Sequence, residues 1–449
     1  MRDPSLKLFR ILHVVLLLSA SVAVVVVTLA SAVSNEDDDD DGVHSSNNLQ
    51  ALCPSVETAF ASSVRPRVVN KDQGWGVYAE RDVEEGEVIL RVGVETMTYP
   101  GRSRRTSETV SDAEATIEAV RHDLAEVSED ADEMALALTL IADSGNDEPT
   151  YAGSVISMAR DSLIDVDDDA IDHVIKPLIP ELAYRYSTIR FLLKRTRAIL
   201  GTRFPHITSL QSALDDHSKI LEAALFAVTS RSFFLPIGAY GRREVAMVPC
   251  ADLFNHEDDS KAVRFTVEED GNVLVFRTRR RYRRGEELRI DYGDKSAEDL
   301  LFQYGFFLQQ SNRTFVRVPL NDTVKEEISA SPVKKVLFDR FTSRGTIRLT
   351  KDGLSGTELG LIRSLALSDE EMSSFHLANV LGRYHEVSPE SETKAALLLE
   401  QAVFAELLRY KQVFTDNDDV VARLPGSVRE LLLNNIRIMA AAWRRTAGK

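Results

Sequence analysis

Two short segments carry side chains that could work on one ligand. Asp252-Leu253-Phe254 leads into Asn255-His256, and Leu288-Arg289-Ile290-Asp291 leads into Tyr292-Gly293. An amide such as Asn255 offers both donor and acceptor to a zwitterion. The Tyr292 hydroxyl, with a reference pKa of about 10, can orient a nucleophile and stabilise charge without being a strong base. Upstream, Gly74-Trp75-Gly76 lets main chain approach a ligand closely. Arg231, in Thr229-Ser230-Arg231-Ser232-Phe233, carries a planar fork that matches both oxygens of a carboxylate. Taken singly, each has an ordinary explanation: a tight turn, a surface charge, a helix cap beside a core histidine, a half-buried strand tyrosine. Their occurrence together in one chain favours a site.

The elements that must position them follow from periodicity. From Arg67 to Val92 apolar and polar residues alternate between glycines, which predicts short strands with turns at Asp72-Gln73-Gly74 and Glu85-Gly86. From about 111 to 142 the spacing becomes helical, with Ile117, Val120, Leu124 and Val127, then Met134, Leu138 and Ile141, recurring at helical intervals. Helical spacing continues over 171–179, 184–200 and 214–230. Strand character returns at 244–248, 262–267, 273–277 and 288–292, with a hairpin turn at Asp270-Gly271. After Pro319 the pattern is helical, most clearly over 391–411 and 428–443. A strand block, a helical insert, a second strand block and a helical tail make an α+β protein. No strand-Gly-x-Gly-x-x-Gly-helix unit is present, so a dinucleotide-binding type of fold is disfavoured.

The 449 residues are 44% hydrophobic with a net charge of -16, enough for two cores. Outside the arginine cluster at 277–284 no long basic run occurs, so nucleic acid is not expected as a partner. The two cysteines, Cys53 and Cys250, are too few for a disulfide framework or a cysteine-rich zinc site, and no metal is expected. Cys250, in an apolar run, is expected to be a buried thiol.

The combined motifs resemble the signature of SET-domain protein methyltransferases. Residues 61–449 resemble the branch that holds the Rubisco large-subunit lysine methyltransferase and the actin-histidine methyltransferase. That branch has a long helical insertion and a helical C-terminal substrate-binding domain. The resemblance implies a SET domain over 61–310, an insertion over about 105–243 and an all-α substrate-binding domain over 320–449. It implies S-adenosyl-L-methionine as cofactor. Gly74, Trp75 and Gly76 would hold it by main chain, and Arg231 by its methionine carboxylate. Asp252, Asn255 and His256 would bind its adenine and methionine parts. Tyr304, Gly305 and Phe306 match the covering aromatic segment, with Phe306 against adenine. Tyr292 matches the catalytic tyrosine, and Phe233, Tyr292 and Tyr304 would line the substrate channel. The aromatic Phe233 matches lysine-methylating members, where the histidine-methylating relative has asparagine. The implied activity is methylation of protein lysine by a monomer. The alternatives are histidine methylation and a catalytically silent SET-like adaptor. One relative's acidic cofactor contact has no counterpart in Tyr99-Pro100-Gly101-Arg102-Ser103.

At the N-terminus Arg2, Lys7 and Arg10 precede an apolar run over 11–33 that ends in Ala30-Ser31-Ala32. This reads as a signal peptide or, at about 20 apolar residues, an uncleaved anchor. Residues 34–60, with the acidic run 37–41, read as linker. Asn312-Arg313-Thr314 and Asn321-Asp322-Thr323 are glycosylation sequons. An endomembrane location follows as the expectation, with a bipartite route to a plastid as the alternative.

Overall fold

The computed structural model describes residues 52–53, 59–70, 74–102, 108–144, 150–161, 166–215, 219–236, 244–258, 261–268, 271–309, 311, 313–320, 322–342, 345–374 and 388–447. The N-terminal apolar run, the acidic run 37–41, Asp72, Gln73, Asp270 and both sequon asparagines lie outside them. The expected linker over 34–60 is corrected at its end, where Leu52, Cys53 and Phe60 are buried in the core.

Alternation in the strand blocks becomes small antiparallel sheets. β1 (Val64–Asn70) and β2 (Gly74–Ala79) form a hairpin with Arg67 opposite Gly76. β3 is Val88–Gly93, β4 Ser232–Leu235, β5 Glu244–Met247, β6 Arg264–Glu268, β7 Val273–Arg277 and β8 Glu287–Leu288. The sheets run β1-β2-β8, β3-β7-β6 and β4-β5. β3 and β8 therefore bring the first strand block against the second across the whole helical insert. The expected strand at 288–292 is only two residues long; beyond it Ile290 makes isolated parallel bridges to His256 and Val263.

The insert supplies helices α1 (Glu108–Ala125), α2 (Ala131–Ser144), α3 (Tyr151–Asp161), α4 (Pro180–Arg203) and α5 (Ile220–Arg231). Apolar residues of α2 are buried around most of its circumference, as expected of a helix packed on several sides. The helix expected from Leu214 starts only at Ile220, because Leu214 ends a separate 3-10 turn. Arg231 is the last residue of α5, and Ser232 leaves it in extended conformation to begin β4.

Two apolar cores result. The first joins the hairpin, α1–α3, α5 and the second strand block, from Leu52 to Ile290. The second joins the C-terminal region to 166–183, so the insert is shared between the cores. After α6 (Ala297–Tyr304) the C-terminal region holds α7 (Pro332–Phe341), α8 (Gly356–Ala366), α9 (Pro389–Asp416) and α10 (Gly426–Ala447). It is not all helix. β9 (Phe315–Pro319), β10 (Thr346–Thr350) and β11 (Gly353–Leu354) form a sheet in the order β11-β10-β9. Val316, Val318, Ile347 and Leu349 alternate inward there, runs too short to stand out beside the helical pattern.

The expected Cys250 thiol is instead bonded to Cys53, with Cα atoms 4.7 Å apart. Both residues are buried, and their separation of 197 positions left no local signal. A bridge closing so long a loop contributes on the order of 5 kcal/mol in the chain-entropy account.

Candidate active site

The two motif segments meet by main-chain bonding. Ile290 N–H donates to Asn255 O at 2.9 Å, and Glu257 N–H donates to Ile290 O at 3.0 Å. Val263 N–H donates to Arg289 O at 2.9 Å, so the Tyr292 segment lies between two stretches of the Asn255 segment. The approach begins at Cys250, which holds φ at 71° and opens a 3-10 turn, Ala251–Leu253. Phe254 then enters the core and stacks on Phe276 with centroids 5.5 Å apart and planes at 9°. That anchoring leaves the next residue, Asn255, facing the hairpin.

Asn255 Nδ2 donates to Trp75 O at 3.1 Å and to Glu287 Oε1 at 2.7 Å. Both amide hydrogens are thus committed to protein. Its Oδ1 accepts from none of the described residues, and an ammonium is the donor such an oxygen suits. Gly76 makes this fit possible. A Cβ there would stand 2.7 Å from Glu287 Oε1 and 3.2 Å from Asn255 Nδ2. Glu287 was not singled out from sequence; its register opposite Tyr78 brings it to the hairpin. Arg289 Nε, 2.7 Å from Glu287 Oε2, holds the carboxylate's other oxygen.

Arg231 Nη1 donates to Asp252 O at 3.1 Å and lies 3.6 Å from Asp252 Oδ2. The Asp252 side chain is fully buried and also accepts from the Tyr151 hydroxyl at 3.2 Å. Burial pushes its carboxyl up to about 6, against the opposing pull of Arg231. The structure therefore places Asp252 behind Arg231, as the group that aims it. Tyr151, which reaches it from α3, has no sequence motif to announce it.

Tyr292, Tyr304, Phe306 and His256 form an aromatic nest. The Tyr292 ring stacks on His256 at 4.8 Å and on Tyr304 at 4.6 Å. Phe306 lies 6.2 Å from Tyr304 and 6.3 Å from His256 and remains 36% exposed. Tyr304 arrives at the end of α6, which Ser296 starts with a reciprocal capping box to Asp299. Gly305 stops that helix at φ 81°, a left-handed position that glycine takes without strain, and turns Phe306 back. The Tyr292 hydroxyl donates to Phe254 O at 2.7 Å. Burial, aided by Tyr304, pushes the Tyr292 phenol well above its ordinary range, and burial takes Tyr304 up to about 12. Both phenols are therefore neutral donors near neutral pH.

The His256 side chain is buried and does not face the open side of the nest. Tyr292 N–H donates to its Nδ1 at 3.2 Å, so the proton of the neutral ring sits on Nε2. Burial lowers its pKa, outweighing Asp258. Only its main chain is left for a ligand. Phe233 is not brought into the nest. β4 turns Phe233 toward Phe265 and Phe276, at 5.7 and 6.2 Å, and turns Phe234 outward, 53% exposed.

The family model described as SET domain matches residues 74–293, which span the hairpin, the insert and both motif segments. Over those residues the chain is similar to a SET domain. Across its length it has the fold of solved Rubisco LSMT structures. The structure of Rubisco LSMT bound to AdoMet aligns at a TM-score of 0.52 and 15% identity, covering 90% of this chain and 92% of that one. The SET domain of LSMT bound to lysine and AdoHcy aligns at 0.51 and 15% identity, covering 90% and 91%. Among curated proteins, actin-histidine N-methyltransferase of Homo sapiens is 20% identical over 381 residues, which is 82% of this chain and 62% of that protein. The Danio rerio protein of the same name is 19% identical over 391 residues, with the same two coverages. The chain thus spans somewhat under two thirds of the length of these curated relatives.

Proposed function

We propose that the protein is an S-adenosylmethionine-dependent protein-lysine N-methyltransferase. The observation that carries this reading is the commitment of both Asn255 amide hydrogens to Trp75 O and Glu287, which leaves its oxygen for a ligand donor. The donor set fits the cofactor. Asn255 Oδ1 accepts from the amino acid ammonium, and the Arg231 fork takes its carboxylate. The Gly74–Gly76 main chain and Phe306 serve the nucleoside. When bound, S-adenosylmethionine supplies an electrophilic methyl on a sulfonium.

The residues of the chain do the rest by placement. Tyr292 and Tyr304 narrow the approach so that an amine arrives in line. The Tyr292 proton is spent on Phe254 O, which leaves its oxygen lone pairs to accept from the amine N–H. Its hydroxyl proton is held on Phe254 O, so Tyr292 is placed to orient the amine, which loses its own proton to solvent before transfer. The solved relative bound to lysine supports lysine as acceptor; Phe233, turned toward the core, no longer bears on the choice. Histidine is the second reading, supported by the names of the curated relatives. The test incubates the protein with methyl-labelled cofactor and cell extract, then hydrolyses the labelled protein. Label in methyllysine supports the first reading, label in methylhistidine the second, and no label in protein contradicts both.

The tight packing at Gly76 predicts that Gly76→Ala displaces Glu287 and Asn255 together. Affinity for S-adenosylhomocysteine should fall about tenfold or more, the loss of one bond to a charged group. Titration calorimetry on the folded variant checks this, and unchanged affinity counts against the site.

The C-terminal helices are proposed to grip the protein substrate. Leu397, 49% exposed, and Leu408, 40% exposed, lie on the outer face of α9 with Gln401 and Lys411. The triple variant Gln401→Lys, Leu408→Asp, Lys411→Glu should weaken protein methylation and leave cofactor affinity unchanged. Equal methylation by this variant would leave the tail a purely structural role.

A secretory-pathway location is proposed for the chain. The Cys53–Cys250 bridge supports it, since disulfides persist in oxidising compartments. Among the described residues no helix is long and apolar enough to cross a membrane, and residues 11–33 lie outside them. Imaging a fluorescent fusion with and without residues 1–33 tests the location.

A further inference from the structure

Arg313 belongs to none of the sequence motifs as a functional side chain, yet it touches both neighbours of Tyr292. Its Nη1 lies 2.9 Å from Asp291 Oδ1, and its Nη2 donates to Asp291 Oδ2 at 3.0 Å. The same Nη1 donates to Gly293 O at 2.6 Å and to Asp258 Oδ1 at 3.0 Å. Asp258 Oδ1 in turn stands 3.1 Å from His256 Nε2, in contact though not aligned as a hydrogen bond. His256 accepts the Tyr292 N–H and stacks on its ring. Arg313 thus reaches Tyr292 from the residue before, the residue after and the residue beneath, without touching the phenol.

The local backbone explains why a clamp is needed. Regular pairing ends at Ile290, and Gly293 turns the chain at φ 98°. Between them the turn is held by the Asp291 side chain, whose Oδ1 accepts the Gly293 N–H at 2.9 Å. Burial would raise the Asp291 carboxyl, but the bonds from Arg313 and Gly293 outweigh it and hold it below the usual range. The clamp itself is fixed. Arg313 N–H donates to Ser311 Oγ at 2.9 Å, and the Ser311 hydroxyl bonds Asp258. His256, Asp258 and Asp291 also present ligand atoms within 4.8 Å of one another, as a divalent cation would require. The guanidinium already bonds both carboxylates, so the cluster is better explained as a cationic clamp.

We propose that Arg313 is a positioning residue for methyl transfer, holding Tyr292 in place through Asp291, Gly293 and Asp258. This rests on the methyltransferase reading above. Arg313→Ala should lower kcat about 10- to 100-fold, the cost of a displacement on the ångström scale at a reacting centre. Its affinity for S-adenosylhomocysteine should stay within about threefold, since no cofactor group is assigned to Arg313. Arg313→Lys should recover little, because an ammonium cannot reproduce the bidentate fork. Arg317→Ala removes a comparable ion-pair set at Glu298 and Glu181, within the second core region, and should leave kcat of the folded protein unchanged. A second readout does not need turnover. In protein labelled with ¹³C-tyrosine, the Tyr292 ring resonances, assigned by their loss in Tyr292→Phe, should shift in Arg313→Ala and Asp258→Asn and not in Arg317→Ala. Wild-type kcat in Arg313→Ala, or unshifted Tyr292 resonances in both clamp variants, overturns the proposal. Should Arg313→Ala not fold, Asp258→Asn and Arg313→Lys decide by the same two readouts. A wild-type protein that transfers no methyl refutes the methyltransferase reading instead, and the resonances still decide whether Arg313 positions Tyr292.

Discussion

Tyr292→Phe is expected to bind S-adenosylhomocysteine with near wild-type affinity and to transfer methyl about 10²- to 10³-fold more slowly, the scale of losing one preorganised donor or acceptor at a reacting centre. The fold should survive. The lost hydroxyl contact to Phe254 O is one neutral hydrogen bond, worth on the order of 1 kcal/mol. The ring stacking on His256 and Tyr304 is retained in phenylalanine. What disappears is the oxygen that aligns the amine. Single-turnover label transfer at saturating cofactor isolates that step from binding. Wild-type turnover in the variant would remove Tyr292 from the mechanism.

The second large effect is expected at Asn255, and it falls on binding. Asn255→Ala removes the acceptor offered to the ammonium and releases Glu287 and Trp75 O from their partner. Loss of a hydrogen bond to a charged group costs about 1.5–3 kcal/mol, or about 10- to 150-fold in Kd. Titration calorimetry with S-adenosylhomocysteine reads it directly. His256→Ala should behave differently, because its buried ring supports the Tyr292 main chain; it should lower turnover more than affinity. Unchanged affinity in folded Asn255→Ala would contradict the cofactor site.

Much of the architecture was legible in the sequence because helix and strand periods differ. Helical spacing found α1, α2, α4, α5 and the long tail helices but not α3 at Tyr151–Asp161, and 273–277 is a strand at the expected bounds. Asn255, Tyr292, Tyr304 and Phe306 could be grouped because their neighbours form recognisable motifs, and the structure brings those four regions together. The supporting residues were not legible. Tyr151, Glu287 and Arg313 act through partners far along the chain or across a sheet, and a lone tyrosine, glutamate or arginine has the same appearance in sequence whether it clamps a site or faces water. The Cys53–Cys250 bridge was hidden for the same reason. The segment after Leu288 kept strand-like composition, yet its bonds go to 255–257 and 263 in place of a continuous ladder. Phe233 shows how a pleat decides orientation: pairing with Ala246 sets which of two adjacent phenylalanines enters the core.

The most direct test of the central claim is a crystal structure of the protein with S-adenosylhomocysteine. The account predicts one molecule between the Gly74–Gly76 main chain and Phe306, its ammonium on Asn255 Oδ1, its carboxylate on Arg231 and its sulfur facing the Tyr292 hydroxyl. A ligand bound elsewhere, or with its amino acid end remote from Asn255, would contradict it.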